Sequence, residues 1–185
     1  MNATTLTTPD GPFSVLVGAG PETSETAGGP NQEAVLAAGW TTDLDALLGL
    51  VHPTLRPTTG ADQLARPVTP DGVLAEAADA VRAYYEGDHG APGRVPVRQA
   101  SGPFRTHAWD VLRDVKAGER LTYSEYARRA GRPAAVRAAA GACAMNAAAL
   151  FVPCHRILRT DGSLGGFRYG LPVKESLLAR EASPS

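Results

Sequence analysis

Residues 87–97, "GDHGAPGRVPV", divide the chain into two stretches of different character. Proline removes a backbone donor and glycine gives up conformational order, so neither a helix nor a strand runs through such a segment. On the N-terminal side, "GPFSVLV" (11–17) and "AVLAAGW" (34–40) are short apolar runs with β-branched residues, the pattern of buried strands. The Gly/Pro/Thr/Glu-rich run from Gly18 to Glu33 joins them as a loop longer than a hairpin needs. Beyond the break the periodicity turns helical. This predicts two domains, residues 1–93 and 94–185, the second entered through one short extended piece.

Helices are expected at five places. "TTDLDALLGLVH" starts at a capping Thr or Asp and spaces Leu44, Leu47, Leu48 and Val51 at helical intervals. "DGVLAEAADAVRAYYEG" gathers Val73, Leu74, Ala77, Val81, Tyr84 and Tyr85 on one side and stops at Gly87. "PFRTHAWDVLRDVKAG" repeats Phe104, Ala108, Val111, Leu112 and Val115, with Gly118 as its stop. In "LTYSEYARRAG", Thr122 and Glu125 form a capping-box pattern and Gly131 ends the helix, after which Pro133 opens "PAAVRAAAGACAMN". Two short helices around a tight glycine turn read either as a helix-turn-helix or as an ordinary helical hairpin. The second is nearly all alanine around Arg137, which is either a solvated charge or a cation carried on a face narrow enough to enter a DNA groove.

Charge separates along the same division. Residues 1–93 hold 3 basic and 12 acidic side chains, net −9, whereas residues 94–185 hold 15 and 7, net +8, which sum to the overall −1. The C-terminal half therefore has the charge to meet a polyanion. With 185 residues and 43% hydrophobic content the chain can bury a sizeable core. No segment reaches the roughly 18 apolar residues of a membrane span, and the N-terminus "MNATTLTTPDG" has no signal-peptide pattern, so the expectation is a cytoplasmic protein. His52, His89, His107 and His155 show no ligand spacing, so no metal is expected.

Only two cysteines are present, too few for a disulfide scaffold. Cys143 lies in the alanine helix and reads as a small buried thiol. Cys154 stands in "FVPCHRILRTDGSLGGFRYG" beside His155 and Arg156, and is either a buried apolar group or a nucleophile. A thiol becomes nucleophilic as thiolate, which a histidine and a cation favour. In an extended segment His155 would point away from the sulfur and act through a water or a turn, and Asp161, Glu175 and Glu181 are the acids that could orient it.

"VPCHRI", with Asn146 eight positions before the cysteine, Arg137 seventeen before, and "GSLGGFRYGLPVKESLLAREA" after it, resembles the O6-alkylguanine-DNA alkyltransferases, the methylated-DNA–protein-cysteine methyltransferases. The resemblance is strong over about 94–185 and looser over "DGPFSVLV…AVLAAGWTTDLDALL". It implies an α/β two-domain fold, with an N-terminal ribonuclease H-like α/β domain and a C-terminal helical winged helix-turn-helix domain. It also implies a monomer acting without cofactor on double-stranded DNA that contains O6-alkylguanine, with O4-alkylthymine as a further substrate class. The alkyl group passes irreversibly to the cysteine.

By the same resemblance Cys154 is the acceptor, with His155 bridging through a water to Glu181. Tyr123 hydrogen-bonds the leaving guanine, and Asn146 ties the helix to the cysteine segment. Arg137 is the finger that replaces the flipped base, with Ala138, Thr122 and Tyr123 also at the DNA. The substrate pocket takes in Val152, Pro153, Gly165, Gly166, Phe167, Arg168 and Lys174. Phe167 replaces the family's usual tyrosine, and Ala147 the usual proline. Two other functions compete. A lesion-binding protein that transfers nothing would lack the acceptor cysteine, and a Cys-His-acid hydrolase would turn over and would not need Arg137.

Overall fold

A computed structural model describes residues 1–19, 32–56 and 72–182. Most of the 18–33 loop expected from the sequence falls outside the described residues. The chain opens with a hairpin that no apolar run in its first strand announces. Strand β1 (Asn2–Thr8) pairs antiparallel with β2 (Gly11–Ala19) across Pro9 and Asp10, with Gly11 at φ +110° and Thr8 Oγ1 donating to Gly11 O at 2.6 Å. Four of the seven residues of β1 are threonines, β-branched but polar, so the strand lacks the apolar run that betrays β2.

Strand β3 (Glu33–Gly39) pairs antiparallel with the other side of β2, through a register irregularity at Leu16/Val17. The second flank of β3 is taken by two segments from the C-terminal half. Val35 N donates to Pro96 O and Arg98 N to Val35 O, both at 2.9 Å, while Ala38 N donates to Ala147 O at 2.8 Å and Ala149 N to Ala38 O at 3.0 Å. The short extended piece expected after the Gly/Pro break is therefore bonded to the N-terminal sheet.

Alternation along the strands sends side chains to both faces. Phe13, Val15 and Val17 meet Leu74, Ala77, Val81 and Tyr84 of helix α2 (Val73–Tyr85), and this cluster continues into Trp109, Leu112, Tyr126, Phe151 and Leu177. On the opposite face Leu16 and Leu36 pack with Leu47 of α1 (Leu44–Leu50) and with Leu55 of a 3-10 turn (Pro53–Leu55). Asp43 caps α1, accepting from Ala46 N at 2.8 Å.

A single turn, α3 (Ala91–Arg94), fills part of the Gly/Pro break. Helix α4 (Pro103–Asp114) ends at Val115, short of Gly118, because Val115 turns to extended backbone. Next come β4 (Leu121–Thr122) and α5 (Tyr123–Arg129), whose start carries the complete capping box between Thr122 and Glu125. Gly131, at φ +75°, makes the turn into α6 (Val136–Ala144), which begins three residues later than Pro133 suggested. After a 3-10 turn (Cys154–Arg156), β5 (Ile157–Leu158) pairs in parallel with β4, and α7 (Leu171–Ala182) closes the described chain. The result is a mixed α/β structure with a small sheet and seven helices among the described residues.

Tyr169 anchors the segment before α7 to the sheet: its hydroxyl donates to Ala38 O at 3.3 Å and its ring meets Trp40 edge-on at 5.5 Å. It lies so close to Gly39 that a Cβ there would stand 1.9 Å from the hydroxyl oxygen and 2.0 Å from the ring carbon bearing it. Gly39→Ala must displace the whole ring. The expected cost is about 1–3 kcal/mol, measured as a lowered urea midpoint with an unchanged slope.

Candidate active site

Three local devices bring the cysteine segment to a fixed position. The β4–β5 pairing sets Leu121 opposite Ile157 and Thr122 opposite Leu158, so Tyr123 is held relative to a chain three residues past Cys154. Asn146, just after α6, is buried with its amide fully engaged. Nδ2 donates to Val152 O at 2.8 Å and to Cys154 Sγ at 3.3 Å, and Oδ1 accepts from Ala148 N and Gln99 Nε2, both at 3.1 Å. Leu150 takes φ +72° in the tight chain reversal that Asn146 spans.

Cys154 faces a cavity of about 360 Å³, lined also by Tyr123, Asn146, Gly166, Phe167 and Arg168 of the expected site. Gly165, at φ +68°, lies against the Tyr123 ring, since a Cβ on it would meet the hydroxyl at 3.2 Å. Val152, Pro153 and Lys174 stand behind the wall and do not line it. Lys174, which the resemblance placed in the pocket, is completely buried. Its Nζ donates to Ile157 O at 2.7 Å and also to Leu164 O, tying β5 to the loop.

Cys143 also differs from expectation: it is half-buried and lines the same cavity as Cys154. Tyr169 is a further lining residue that the sequence did not single out, and Arg168 reaches across to donate to Ala144 O at 2.5 Å.

Behind the thiol, the expected water between His155 and Glu181 is replaced by a direct bond, Nε2 to Oε1 at 2.8 Å. Because 154–156 form a 3-10 turn, His155 turns inward and is wholly buried. Of the three candidate acids only Glu181 is there. Asp161 bonds Ser163 at the surface and Glu175 is exposed. Arg156, expected as a cation beside the thiol, is buried with His155 and Glu181 and serves the carboxylate. Its Nε donates to Glu181 Oε2 at 2.9 Å, Nη2 to Oε1 at 2.8 Å and Nη1 to Val115 O at 2.5 Å.

Burial alone would raise the Glu181 carboxyl, but the bonds from His155 and Arg156 outweigh it and hold it well below the usual carboxylate range. Burial lowers the His155 imidazole below its ordinary value against the opposing pull of Glu181. An ionised carboxylate can only accept, so the neutral ring carries its proton on Nε2 and presents a bare lone pair at Nδ1. That Nδ1 is buried and has no hydrogen-bond partner among the described residues. Burial pushes the Cys154 thiol up, opposed by the Asn146 bond and the Lys174 charge. Tyr123 is likewise raised by burial, which keeps its hydroxyl a donor at neutral pH.

Arg137 and Ala138 lie on the exposed side of α6, away from the cavity, along a separate groove shared with Phe104, Arg105 and Arg132. Thr122 is half-buried, its hydroxyl engaged with Glu125 at 2.8 Å.

Residues 103–183 match the family model described as 6-O-methylguanine DNA methyltransferase, DNA binding domain. That stretch, somewhat under half of the chain, is similar to the DNA binding domain of this family. The bifunctional transcriptional activator/DNA repair enzyme Ada of Escherichia coli is 43% identical over 91 residues, 49% of this chain and 26% of that protein. A methylated-DNA–protein-cysteine methyltransferase of Haemophilus influenzae is 39% identical over 101 residues, 55% of this chain and 56% of its own length. The matches thus span from about a quarter to just over half of the length of these two relatives. Among solved structures, the Mycobacterium tuberculosis OGT in complex with DNA aligns with TM-score 0.68 at 24% identity, over 98% of this chain and 93% of that one. A single-residue variant of the O6-methylguanine methyltransferase of the same organism aligns with TM-score 0.70 at 23% identity, over 100% and 95%. The described residues therefore share the fold of these structures.

His155 and Glu181 both bind protons less readily folded than unfolded, so their contributions to stability are lost as pH falls. The His155 contribution is present above its ordinary 6.5 and the Glu181 contribution above 4.5. The urea midpoint should drop as pH falls below about 6.5 and again below about 4.5. In His155→Phe the first of these two drops should flatten.

Proposed function

We propose that this chain repairs O6-alkylguanine in double-stranded DNA, by flipping the damaged base out of the helix and transferring its alkyl group irreversibly to Cys154. The observation that carries the reading is a cysteine at the wall of a cavity, its sulfur held by Asn146, with a buried His155–Glu181 pair behind it. The similarity of residues 103–183 to the 6-O-methylguanine DNA methyltransferase DNA binding domain supports it.

In the transfer, Sγ bonds to the alkyl carbon as the carbon–O6 bond breaks. The thiol proton goes to His155 Nδ1, and the departing base is protonated from the Tyr123 hydroxyl, without which guanine O6 is a poor leaving group. The thioether is stable, so each molecule reacts once. The same chemistry extends to O4-alkylthymine. Phe167 and Tyr169 supply an apolar wall for the base, next to Gly166 and Arg168.

On this reading α5 and α6 are the two helices of a winged helix-turn-helix spanning 94–185, and residues 1–93 form a ribonuclease H-like domain. Arg137 enters the stack vacated by the base, with Ala138 and the Thr122–Tyr123 helix start alongside the duplex. The protein acts as a cytoplasmic monomer without cofactor; no described helix is long and apolar enough to cross a membrane.

Mixing the protein with a duplex carrying one O6-methylguanine should add one methyl group, on Cys154 alone, saturating at one per chain by intact and peptide mass spectrometry. Cys154→Ala should abolish the added mass and keep DNA binding. Lesion-selective binding by the unaltered protein with no added mass would instead assign it to the lesion-binding class. Arg137→Ala should slow transfer from duplex DNA far more than from free O6-benzylguanine, and equal losses on both substrates would remove Arg137 from base flipping.

A further inference from the structure

Glu181 Oε1, the atom that accepts from His155, also accepts from Arg156 Nη2 at 2.8 Å and from the hydroxyl of Tyr84 at 3.0 Å. Tyr84 lies on α2, 97 positions earlier in the chain, in the half that carries none of the proposed chemistry. It is completely buried, with its ring edge-on to His89 at 5.2 Å. Oε2 has its own partners, Arg156 Nε at 2.9 Å and Gly118 N at 3.4 Å. A carboxylate offers about four lone-pair sites, so three donors on one oxygen compete for the same electron density. Every donor added to Oε1 leaves less for the bond to His155 Nε2 and makes an imidazolium there less favourable.

We infer that Tyr84 is a positioning residue for the proposed transfer, setting through Glu181 the basicity of His155 and thereby the reactivity of Cys154. The inference rests on the reading of Cys154 as alkyl acceptor for its purpose, but its physical content, control of a thiol from the N-terminal half, is separable. Tyr84 touches neither the thiol nor the cavity, so it is not a catalytic residue. A buried tyrosine also needs an acceptor for structural reasons alone. What sets the two roles apart is the choice of acceptor atom.

The charged and titratable groups facing His155 are Glu181 and Lys174 from α7, Arg156 from its own turn, and Tyr84 from α2 through Glu181, with His89 against the Tyr84 ring. Burial and the Glu181 charge both raise Tyr84 far above the ordinary phenol range, so it stays a donor throughout the working pH range. Of the two donors to Oε1 other than His155 itself, Tyr84 alone can lose its bond without a change of charge, in Tyr84→Phe.

The test follows alkylation of Cys154 by iodoacetamide from pH 5 to 9, with peptide mass spectrometry separating it from Cys143, in the unaltered protein and in Tyr84→Phe. Freed of one donor, Oε1 pulls harder on His155, so the acid limb of the rate profile should move up by about one pH unit. In a Glu181→Gln background the same change should produce no shift. An unmoved acid limb accompanied by a lowered melting temperature would reduce Tyr84 to a structural tyrosine and overturn the inference. Should Tyr84→Phe not fold, 3-fluorotyrosine placed at position 84 alone keeps ring and bond. As a stronger donor it should move the limb down, and no movement would equally overturn the inference. Parallel reaction with O6-benzylguanine separates the two proposals: inertness there with a shifted iodoacetamide profile would sink the repair reading and keep the role of Tyr84.

Discussion

One carboxylate, Glu181, ties together four parts of the chain that are distant in sequence. Near the end of α7, it accepts from His155 and Arg156 in the cysteine turn, from Tyr84 on α2 and from the backbone of Gly118 in the loop before β4. Taking a carboxylate and a guanidinium out of water is costly, and the cost is offset only when nearly every lone pair and N–H finds a partner. Here the condition is met from several directions at once, which fixes the relative positions of α7, α2 and the turn. A buried polar cluster of this kind specifies one arrangement where an apolar contact would tolerate several.

From that fixed base the cavity is built with few degrees of freedom. Asn146 holds the reversal at Leu150 and touches the sulfur, Gln99 holds Asn146, and Gln99 Oε1 also accepts from Ala147 N at 2.8 Å. Tyr123 is placed by the two-residue β4–β5 ladder, and Lys174 pins β5 to the glycine loop. The thiol thus sits where each neighbour is placed by its own hydrogen bonds, as a geometrically demanding group transfer requires.

The sequence revealed those parts whose patterns are local. Apolar runs located β2 and β3, helical spacing of apolar residues located α1, α2 and α4, and the Thr122/Glu125 pair located the start of α5 to the residue. The threonine-rich β1 escaped because a half-exposed edge strand has little apolar signal, and the late start of α6 escaped because proline permits a helix start without compelling one. At the site, Cys154 and His155 stood out as neighbouring residues, while Asn146 and Tyr123 entered through the family resemblance. Tyr84 was read only as one of the apolar residues of α2, since nothing in "AYYEG" says which atom a phenol will meet 97 positions away. The direct His155–Glu181 bond and the burial of Lys174 depend on packing between elements, which no single segment records.

The pairing of β3 with residues 96–98 and 147–149 also bears on how such a chain comes into being. A ribosome delivers β1, β2 and β3 long before the second of those partners, so the inner edge of the sheet stays open while more than a hundred residues follow β3. Contacts of such separation are slow to form, because the loop between them must be closed before they contribute anything. An open, largely apolar strand edge is in the meantime a template for another chain. The N-terminal sheet is therefore completed only when the cysteine-bearing half arrives, and the two halves mature as one folding event.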